Sequence, residues 1–206
     1  MPGDPGPLTV AATPPTILLL PGWQNSGPAH WQSRWEALHG DRRVEQHEWV
    51  RPLRGDWSMR LEEEVLAART PVVLVAHSLG CLLVPAWAAH SRQTARVRAA
   101  MLVAPADLDR DDLRQTIPGW APIVRQRLPF PSLLVAAADD PYCAADRSRQ
   151  LAVDWGARFL DAGDIRYDTP CAEGAVATRA GHLNHDSGLG DWPEGRALLN
   201  DFLKEH

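Results

Sequence analysis

The chain has 206 residues, a formal net charge of −5, 45% hydrophobic residues and 23% charged residues. This composition excludes the disordered and fibrous classes, and the mildly acidic charge excludes the basic surface that binds nucleic acid or anionic membranes. The length is that of one domain. We expect residues 16–206 to form a single α/β domain that follows a flexible, proline-rich tail at 1–15.

Cysteine usage and apolar runs indicate where the protein acts. The three cysteines, Cys81, Cys143 and Cys171, are too few and too widely spaced for a disulfide framework or a zinc site. The longest apolar runs, Ile17–Leu20 and Val72–Ala76, are too short to cross a bilayer. The N-terminus lacks the features of a signal peptide. We therefore expect a cytoplasmic protein with no membrane contact, no metal and no cofactor.

Short apolar runs alternate along the chain with longer amphipathic segments. Strands are predicted at Thr16–Leu20, Val44–Val50, Pro71–His77, Arg98–Ala104, Ser132–Ala138 and Ala157–Asp161. Helices are predicted at Trp31–Leu38, Ser58–Arg69, Leu79–His90, Cys143–Trp155 and Trp192–Lys204. Continuous apolar strands are typical of strands buried on both faces. The fold class is therefore α/β, a three-layer sandwich with a central, mostly parallel sheet and its site at the carboxyl ends of the strands.

The third predicted strand runs through Ala76-His77-Ser78-Leu79-Gly80 directly into a helix. This pattern matches the nucleophile elbow, G-x-S-x-G, with alanine at the first small position. Ala76 and Gly80 are small, as required where strand and helix backbones nearly touch. We predict that Ser78 is a nucleophile and that the backbone N–H of Leu79 stabilises an oxyanion. The alternative is a serine that only begins a helix.

A nucleophilic serine needs a histidine base and an acid that orients the base, which in this architecture follow in the order serine, acid, histidine. Asp139 and Asp140 follow the fifth predicted strand, and Asp140 is the first choice because a proline fixes the turn after it. Asp139 is the reserve, and Asp107, after the preceding strand, is a further alternative. His182 is the predicted base. It is followed closely by His185, but this pair lacks a third ligand at a spacing diagnostic of a metal site.

The other histidines are not expected to take part in catalysis. His77 precedes the serine and is predicted to point away from it, packing or hydrogen-bonding locally. The remaining five are expected at the solvated surface: His30, His39, His47, His90 and His206.

The loop after the first strand, Pro21-Gly22-Trp23-Gln24-Asn25-Ser26-Gly27, is expected to supply a second oxyanion donor. The backbone N–H of Trp23 is the predicted donor, and Gln24 is predicted to line the substrate pocket. The alternative is a glycine-rich turn with no further role. A phosphate-binding loop is a poor match, because no G-K-[ST] follows.

Four segments together resemble the small serine hydrolases related to retinoblastoma-binding protein 9 and the bacterial YdeN proteins, which are minimal members of the α/β-hydrolase superfamily. The segments are PGWQNSGPAHWQSRWE, VAHSLGC, AADDPYC and GHLNHDSGLGDWPEG, and the resemblance spans residues 17–204. It implies a triad of Ser78, Asp140 and His182. It also implies that the fold has no large cap domain.

The connection at 106–131, where larger relatives insert a cap, is short, and its Trp120 is expected to form a pocket wall. The sequence departs from the resemblance at two points. Ala76 replaces the first glycine of the elbow, and an inserted segment at 164–180 precedes the base. This insertion is either a flap over the site or a disordered loop.

The sequence therefore predicts a serine hydrolase that cleaves a small carboxylic ester through a Ser-His-Asp triad and an acyl-enzyme intermediate. Its expected partner is a small-molecule acyl substrate. Two alternatives stay open. One is a non-catalytic protein-binding module on the same fold, although the L-x-C-x-E partner motif expected for that role is absent. The other is an amidase or acyltransferase with the same triad.

Overall fold

A computed structural model describes residues 13–165 and 181–206 of the chain. Most of the predicted tail, residues 1–12, and most of the predicted insertion, residues 166–180, lie outside the described residues. The strands are β1 (Thr16–Leu20), β2 (Arg42–Arg43), β3 (Val72–His77), β4 (Val97–Val103), β5 (Ser132–Ala136) and β6 (Arg158–Asp161). The helices are α1 (Trp31–His39), α2 (Arg54–Ala67), α3 (Leu79–Ala88), α4 (Asp111–Thr116), α5 (Ala145–Trp155) and α6 (Pro193–Glu205).

The six strands form one sheet in the order β2-β1-β3-β4-β5-β6, and every neighbouring pair is parallel. Parallel neighbours require crossover connections, and helices supply most of them. The predicted α/β class with a parallel sheet is confirmed. Strand β3 lies inside the sheet, between β1 and β4, and all six of its residues are buried. In the described ranges, every helix is too short or too polar to cross a lipid bilayer.

Alternate residues of the strands face two separate hydrophobic clusters, because successive side chains point to opposite faces of a sheet. Along β3, Val73 and Val75 pack in the cluster that contains Trp35 of α1. Leu74, between them, packs in the cluster that contains Leu61 of α2. Residues of α6 join the first cluster, and residues of α3 and α5 join the second. These two helical layers give the predicted three-layer sandwich.

Two predictions of secondary structure are wrong. The strand expected at Val44–Val50 is absent, and the chain pairs with β1 one step earlier, as the short edge strand β2. The backbone hydrogen bonds to β1 continue only as far as Val44, whose N–H donates to the carbonyl of Leu19. Farther on, the carboxylate of Glu48 accepts the backbone N–H groups of Val50 and Arg51, which form a turn where the strand was expected. In the connection at 106–131, helix α4 forms where no helix was predicted.

Candidate active site

The nucleophile elbow has the strained geometry that its sequence predicts. Ser78 stands between β3 and α3 with φ 54° and ψ −120°, a conformation that L-residues rarely adopt. A Cβ atom on Gly80 would stand 2.2 Å from the carbonyl oxygen of Leu20. A Cβ atom on Gly22 would stand 2.7 Å from Cβ of Ser78. The backbones of β1, the loop after it and α3 therefore meet around the serine, and only glycine fits at these two contacts.

His182 joins Ser78 to Asp140 through both nitrogens of its ring. Its Nε2 lies 2.9 Å from Oγ of Ser78, and its Nδ1 lies 2.9 Å from Oδ2 and 3.1 Å from Oδ1 of Asp140. The side chain of Asp140 is fully buried and that of His182 is 10% exposed. Because an ionised carboxylate only accepts hydrogen bonds, the ring proton resides on Nδ1. Nε2 is then free to accept the hydroxyl proton of Ser78.

The structure distinguishes between the three acids that sequence reasoning left open. Asp140 is the one bonded to His182, and its Oδ1 also accepts the backbone N–H of Tyr142 at 2.8 Å. Asp139 accepts the N–H of Gly181 at 2.7 Å instead. Asp107 lies 3.1 Å from the guanidinium of Arg147. The two alternatives therefore hold loops near the site and do not touch the imidazole.

The predicted oxyanion donors come from two separate parts of the chain, the start of α3 and the loop after β1. Leu79 is the first residue of α3, so its N–H is among those without a partner inside the helix. Trp23 follows Gly22, where an added Cβ would stand 2.7 Å from Cβ of Ser78, and it lines the same cavity as the serine. Gln24 also lines this cavity, as predicted from its place in the loop. It is held at φ 65° by a backbone hydrogen bond to Trp49 O.

The loop after β1 is fixed from behind by Arg43 of β2. The guanidinium donates from Nη1 to Oδ1 of Asn25 at 2.5 Å and to the carbonyl of Ser26 at 3.0 Å. From Nη2 it donates to Oγ of Ser33 and to the carboxylate of Glu36. The Arg43 side chain is only 7% exposed. Sequence reasoning missed this residue, because an arginine on a two-residue edge strand carries no motif.

A cavity of about 480 Å³ opens above Ser78 and His182. One wall is the loop after β1, and the opposite wall comes from α4 and the chain around it. This second wall supplies four apolar side chains: Ala106, Leu108, Leu113 and Ile117. The cavity can therefore take an apolar group next to the serine.

Trp120 does not reach this cavity. It is 1% exposed, its ring lies 5.3 Å from that of Trp57 edge to face, and its Nε1–H donates to the carbonyl of Pro52 at 2.9 Å. The predicted pocket wall is wrong for this residue, which is part of the hydrophobic core. Leu113 and Ile117, which precede it, take that place.

Two histidines that were predicted to have no part in the site lie buried beside it. His30, expected at the surface, is 5% exposed, and its Nδ1 accepts the backbone N–H of Gln32 at the start of α1. Burial, with a smaller contribution from nearby positive charge, lowers the pKa of His30 to about 3. His77 is equally buried, and its Nε2 lies 2.9 Å from the backbone carbonyl of His182. Burial holds the pKa of His77 well below its ordinary value.

His185, which follows His182 closely in the sequence, has a different environment from the two buried histidines. The His185 side chain is 58% exposed and lies 2.9 Å from the carboxylate of Asp186. Within residues 13–165 and 181–206, no group of three His, Cys, Asp or Glu side chains is arranged to hold a metal ion.

The comparisons with known proteins agree with this architecture. Among solved structures, a YdeN-like hydrolase from Pectobacterium atrosepticum is 27% identical with a TM-score of 0.72, over 92% of this chain and 90% of that chain. The ydeN gene product of B. subtilis is 18% identical with a TM-score of 0.67, over 93% and 100% of the two chains. Esterase 2 of Thermogutta terrifontis is 17% identical with a TM-score of 0.60, over 98% of this chain and 87% of the esterase chain. These last two likenesses demonstrate the shared fold.

A search of curated proteins finds no match. A family model described as serine hydrolase matches residues 17–167, a range that includes β1, Ser78 and Asp140. The matched range is more than half of the chain, and its fold is that of the YdeN-like hydrolases. The chain therefore belongs to the serine hydrolase family.

Proposed function

We propose that this serine hydrolase cleaves small carboxylic esters through an acyl-enzyme on Ser78, with His182 as general base and Asp140 as the acid that orients it. One observation carries the proposal. A single imidazole lies at 2.9 Å from the serine hydroxyl on one side and at 2.9 Å from a buried carboxylate on the other. This arrangement is the one that activates a serine for attack on a carbonyl carbon.

In the first half of the reaction, Oγ of Ser78 attacks the ester carbonyl while Nε2 of His182 takes the hydroxyl proton. The buried carboxylate of Asp140 keeps the other ring proton on Nδ1 and stabilises the imidazolium that forms. Negative charge develops on the former carbonyl oxygen. The N–H groups of Leu79 and Trp23 are proposed to stabilise it, and each such donor contributes about 3 kcal/mol.

Collapse of this intermediate breaks the bond to the alcohol oxygen, which receives the proton from His182. The acyl group is then esterified to Ser78. Water attacks this ester in the second half, again giving a proton to Nε2 of His182, and the carboxylic acid leaves as Ser78 regains its proton. The alcohol and the acid together contain the atoms of ester plus water, so the proposed cycle requires no cofactor.

The cavity supports a neutral, partly apolar acyl substrate. Its apolar wall of Ala106, Leu108, Leu113 and Ile117 provides a place for an acyl chain at the side of α4. A volume of about 480 Å³ is at the lower end of the range for small-molecule sites, which reaches about 1,000 Å³. We therefore propose a short or medium chain ester. A cytoplasmic location remains part of the proposal, and the free, buried thiols of Cys81 and Cys143 are compatible with that reducing compartment.

Hydrolysis of p-nitrophenyl acetate, butyrate and octanoate by the wild type and by Ser78→Ala tests this function. We expect turnover by the wild type and a loss of at least about 1,000-fold in Ser78→Ala, because removing a triad member leaves only oxyanion stabilisation and binding. Ser58→Ala is the matched control, since that serine lies on α2 and its hydroxyl bonds Arg54 O. It should keep wild-type rates.

The same assay separates the alternatives. A protein that folds but cleaves neither the three esters nor the matching p-nitroanilides supports the binding-module alternative. Turnover that survives Ser78→Ala contradicts the assigned nucleophile. Faster cleavage of the matching p-nitroanilides than of the esters indicates an amidase. Transfer of the acyl group to added methanol in preference to water indicates an acyltransferase.

A further inference from the structure

The backbone of the base loop at 181–183 is held by side chains from three other parts of the chain. Each of its three residues has one backbone group in such a hydrogen bond. The pairs are Gly181 N–H to Asp139 Oδ1 at 2.7 Å, His77 Nε2 to His182 O at 2.9 Å, and Trp31 Nε1–H to Leu183 O at 2.9 Å. The middle contact acts on the base residue itself.

This loop needs such support because its backbone is left-handed on both sides of the base and is strained at Leu183. Gly181 has φ 73° and Leu183 has φ 49°, so the base lies between two left-handed residues. Leucine has a Cβ atom, which makes that conformation unfavourable by about 1–2 kcal/mol. Such residues persist only where their surroundings determine the conformation.

The chemistry of the middle contact fixes the state of His77. A backbone carbonyl can only accept a hydrogen bond, so Nε2 of His77 must carry a proton. Burial keeps the pKa of the ring well below its ordinary value, so at neutral pH the ring is uncharged and the proton stays on Nε2. The ring also packs against two others, with its centroid 4.7 Å from that of His30 and 4.9 Å from that of His182. These contacts restrict the orientation of the His77 ring.

We propose that His77 is a positioning residue, which sets the location of the His182 imidazole relative to the Ser78 hydroxyl by donating its Nε2–H to the carbonyl of His182. The inference rests on the proposed function. His77 is the last residue of β3 and directly precedes the nucleophile, so the end of one strand both leads into the serine and holds the base against it. Loss of the bond leaves the strained loop free to move the imidazole away from Oγ.

Two substitutions separate the hydrogen bond from the bulk of the ring. In His77→Gln the side-chain amide nitrogen can replace Nε2 as donor, whereas in His77→Asn the amide is too short to reach the carbonyl. We expect His77→Asn to lower kcat for p-nitrophenyl butyrate by about 10- to 100-fold, since a misplacement of about 1 Å can cost about 100-fold. KM should change by less than about twofold, because binding of the ester does not depend on the base. His77→Gln should retain kcat within about threefold.

Val65→Ala is the control for lost stability, because this fully buried valine of α2 lies in the cluster on the opposite face from α1 and α6. It should lower Tm and leave kcat unchanged. Equal losses of kcat in His77→Asn and His77→Gln would overturn the proposal, as would a similar loss in Val65→Ala at a similar fall in Tm.

The hydrogen bond of His77 can also be tested in the wild-type protein, by a measurement that requires neither enzymatic activity nor a folded variant. The imidazole ¹⁵N NMR spectrum at neutral pH should identify His77 as a neutral ring with its proton on Nε2. A proton on Nδ1 excludes donation to the carbonyl and rejects the inference even where ester hydrolysis is normal. Absence of Ser78-dependent turnover in the wild type rejects the proposed function, and the NMR result still decides whether His77 holds the loop.

Discussion

At the scale of single residues, the bend at Ser78 depends on the absence of two side chains. Gly80 lets the first turn of α3 lie against the carbonyl of Leu20, and Gly22 lets the loop after β1 lie against Ser78. Neither neighbouring group can move far to make room for a side chain, because one is the backbone carbonyl of Leu20 and the other is the strained residue Ser78. The position of the Ser78 hydroxyl is therefore a consequence of close backbone packing.

Substitution of Gly80 by alanine tests this packing. The added Cβ would stand 2.2 Å from Leu20 O, so we expect Gly80→Ala to lower the free energy of unfolding by about 3 kcal/mol or more. Urea unfolding followed by circular dichroism measures the change. Gly55→Ala is the control, because no atom lies within 4 Å of its Cβ and alanine favours the α2 helix by about 0.5–1 kcal/mol. A Gly80→Ala protein as stable as the wild type would contradict the packing.

The buried histidines predict how stability changes with pH. The pKa of His30 is about 3 in the folded protein, against an ordinary value of 6.5. Below pH 6.5 the unfolded chain therefore takes up a proton that the folded chain does not, and folding becomes less favourable as the pH falls towards 3. Each such group contributes up to about 1.4 kcal/mol per pH unit. The lowered pKa of His77 acts in the same direction.

We expect His30→Asn to reduce this acid sensitivity between about pH 6 and pH 4 by up to about 1.4 kcal/mol per pH unit. Asparagine keeps an acceptor that can cap α1 and removes the titrating ring. Urea midpoints at a series of pH values measure the slope. His47→Asn, at an exposed position, should show the wild-type slope. Identical slopes in His30→Asn and the wild type would reject the assignment.

At the scale of elements, the loop after β1 is held in place by a short edge strand. Arg42 and Arg43 form this strand, but their side chains have different partners. Arg43 is buried and bonds Asn25 and Ser26 in the loop that carries the proposed oxyanion donor Trp23. Arg42 is about half exposed and pairs with Glu64 of α2.

This contrast gives a matched pair of variants. Arg43→Met should lower kcat for p-nitrophenyl butyrate by about 10- to 100-fold, because displacement of a transition-state donor has an effect of that size. Arg42→Met should keep wild-type kcat. Steady-state kinetics on both proteins measure the difference. Equal effects of the two substitutions would mean that the loop does not depend on its buried arginine.

Helix α4 and the chain around it form the apolar wall of the cavity, so this wall is expected to set the length of the acyl chain. Leu113→Trp should lower kcat/KM for p-nitrophenyl octanoate by about tenfold, because the larger side chain takes space from the apolar pocket. The kcat/KM for p-nitrophenyl acetate should stay within about twofold of the wild-type value. Arg114→Trp is the control, because this exposed neighbour pairs with Asp111 on the helix. An equal change in kcat/KM for all acyl chain lengths would show that the acyl chain does not bind against Leu113.

At the scale of the whole molecule, the sheet could be predicted because its central strands are apolar on both faces. Every residue of β3 and β5 is buried, which produces continuous runs that few other structures require. The edge strand β2 could not be predicted in this way, since its two arginines have solvent or ion pairs as partners. The turn at Ser78, and the candidates Asp140 and His182 that contact each other near it, could be chosen from strand ends and loop positions along the chain.

The rest of the site depends on contacts between distant parts of the chain. His77 is 105 positions from the carbonyl it meets, and the ring of His30 lies 4.7 Å from that of His77, a residue of β3. Local sequence says nothing about such partners, so His77 was predicted only to pack or hydrogen-bond locally and His30 to lie at the surface. For Trp120 the error is the reverse: a site role was predicted, but the residue is part of the core. Its burial depends on Trp57 of α2, which is distant in the sequence.

The most direct test of the account is to find where a fluorophosphonate probe attaches. After reaction at neutral pH, intact mass spectrometry and peptide mapping should locate one adduct on Ser78. His182→Ala should react at least about 100-fold more slowly, because the base that takes the hydroxyl proton is gone. An adduct on any other residue, or equal labelling of Ser78→Ala, would contradict the account.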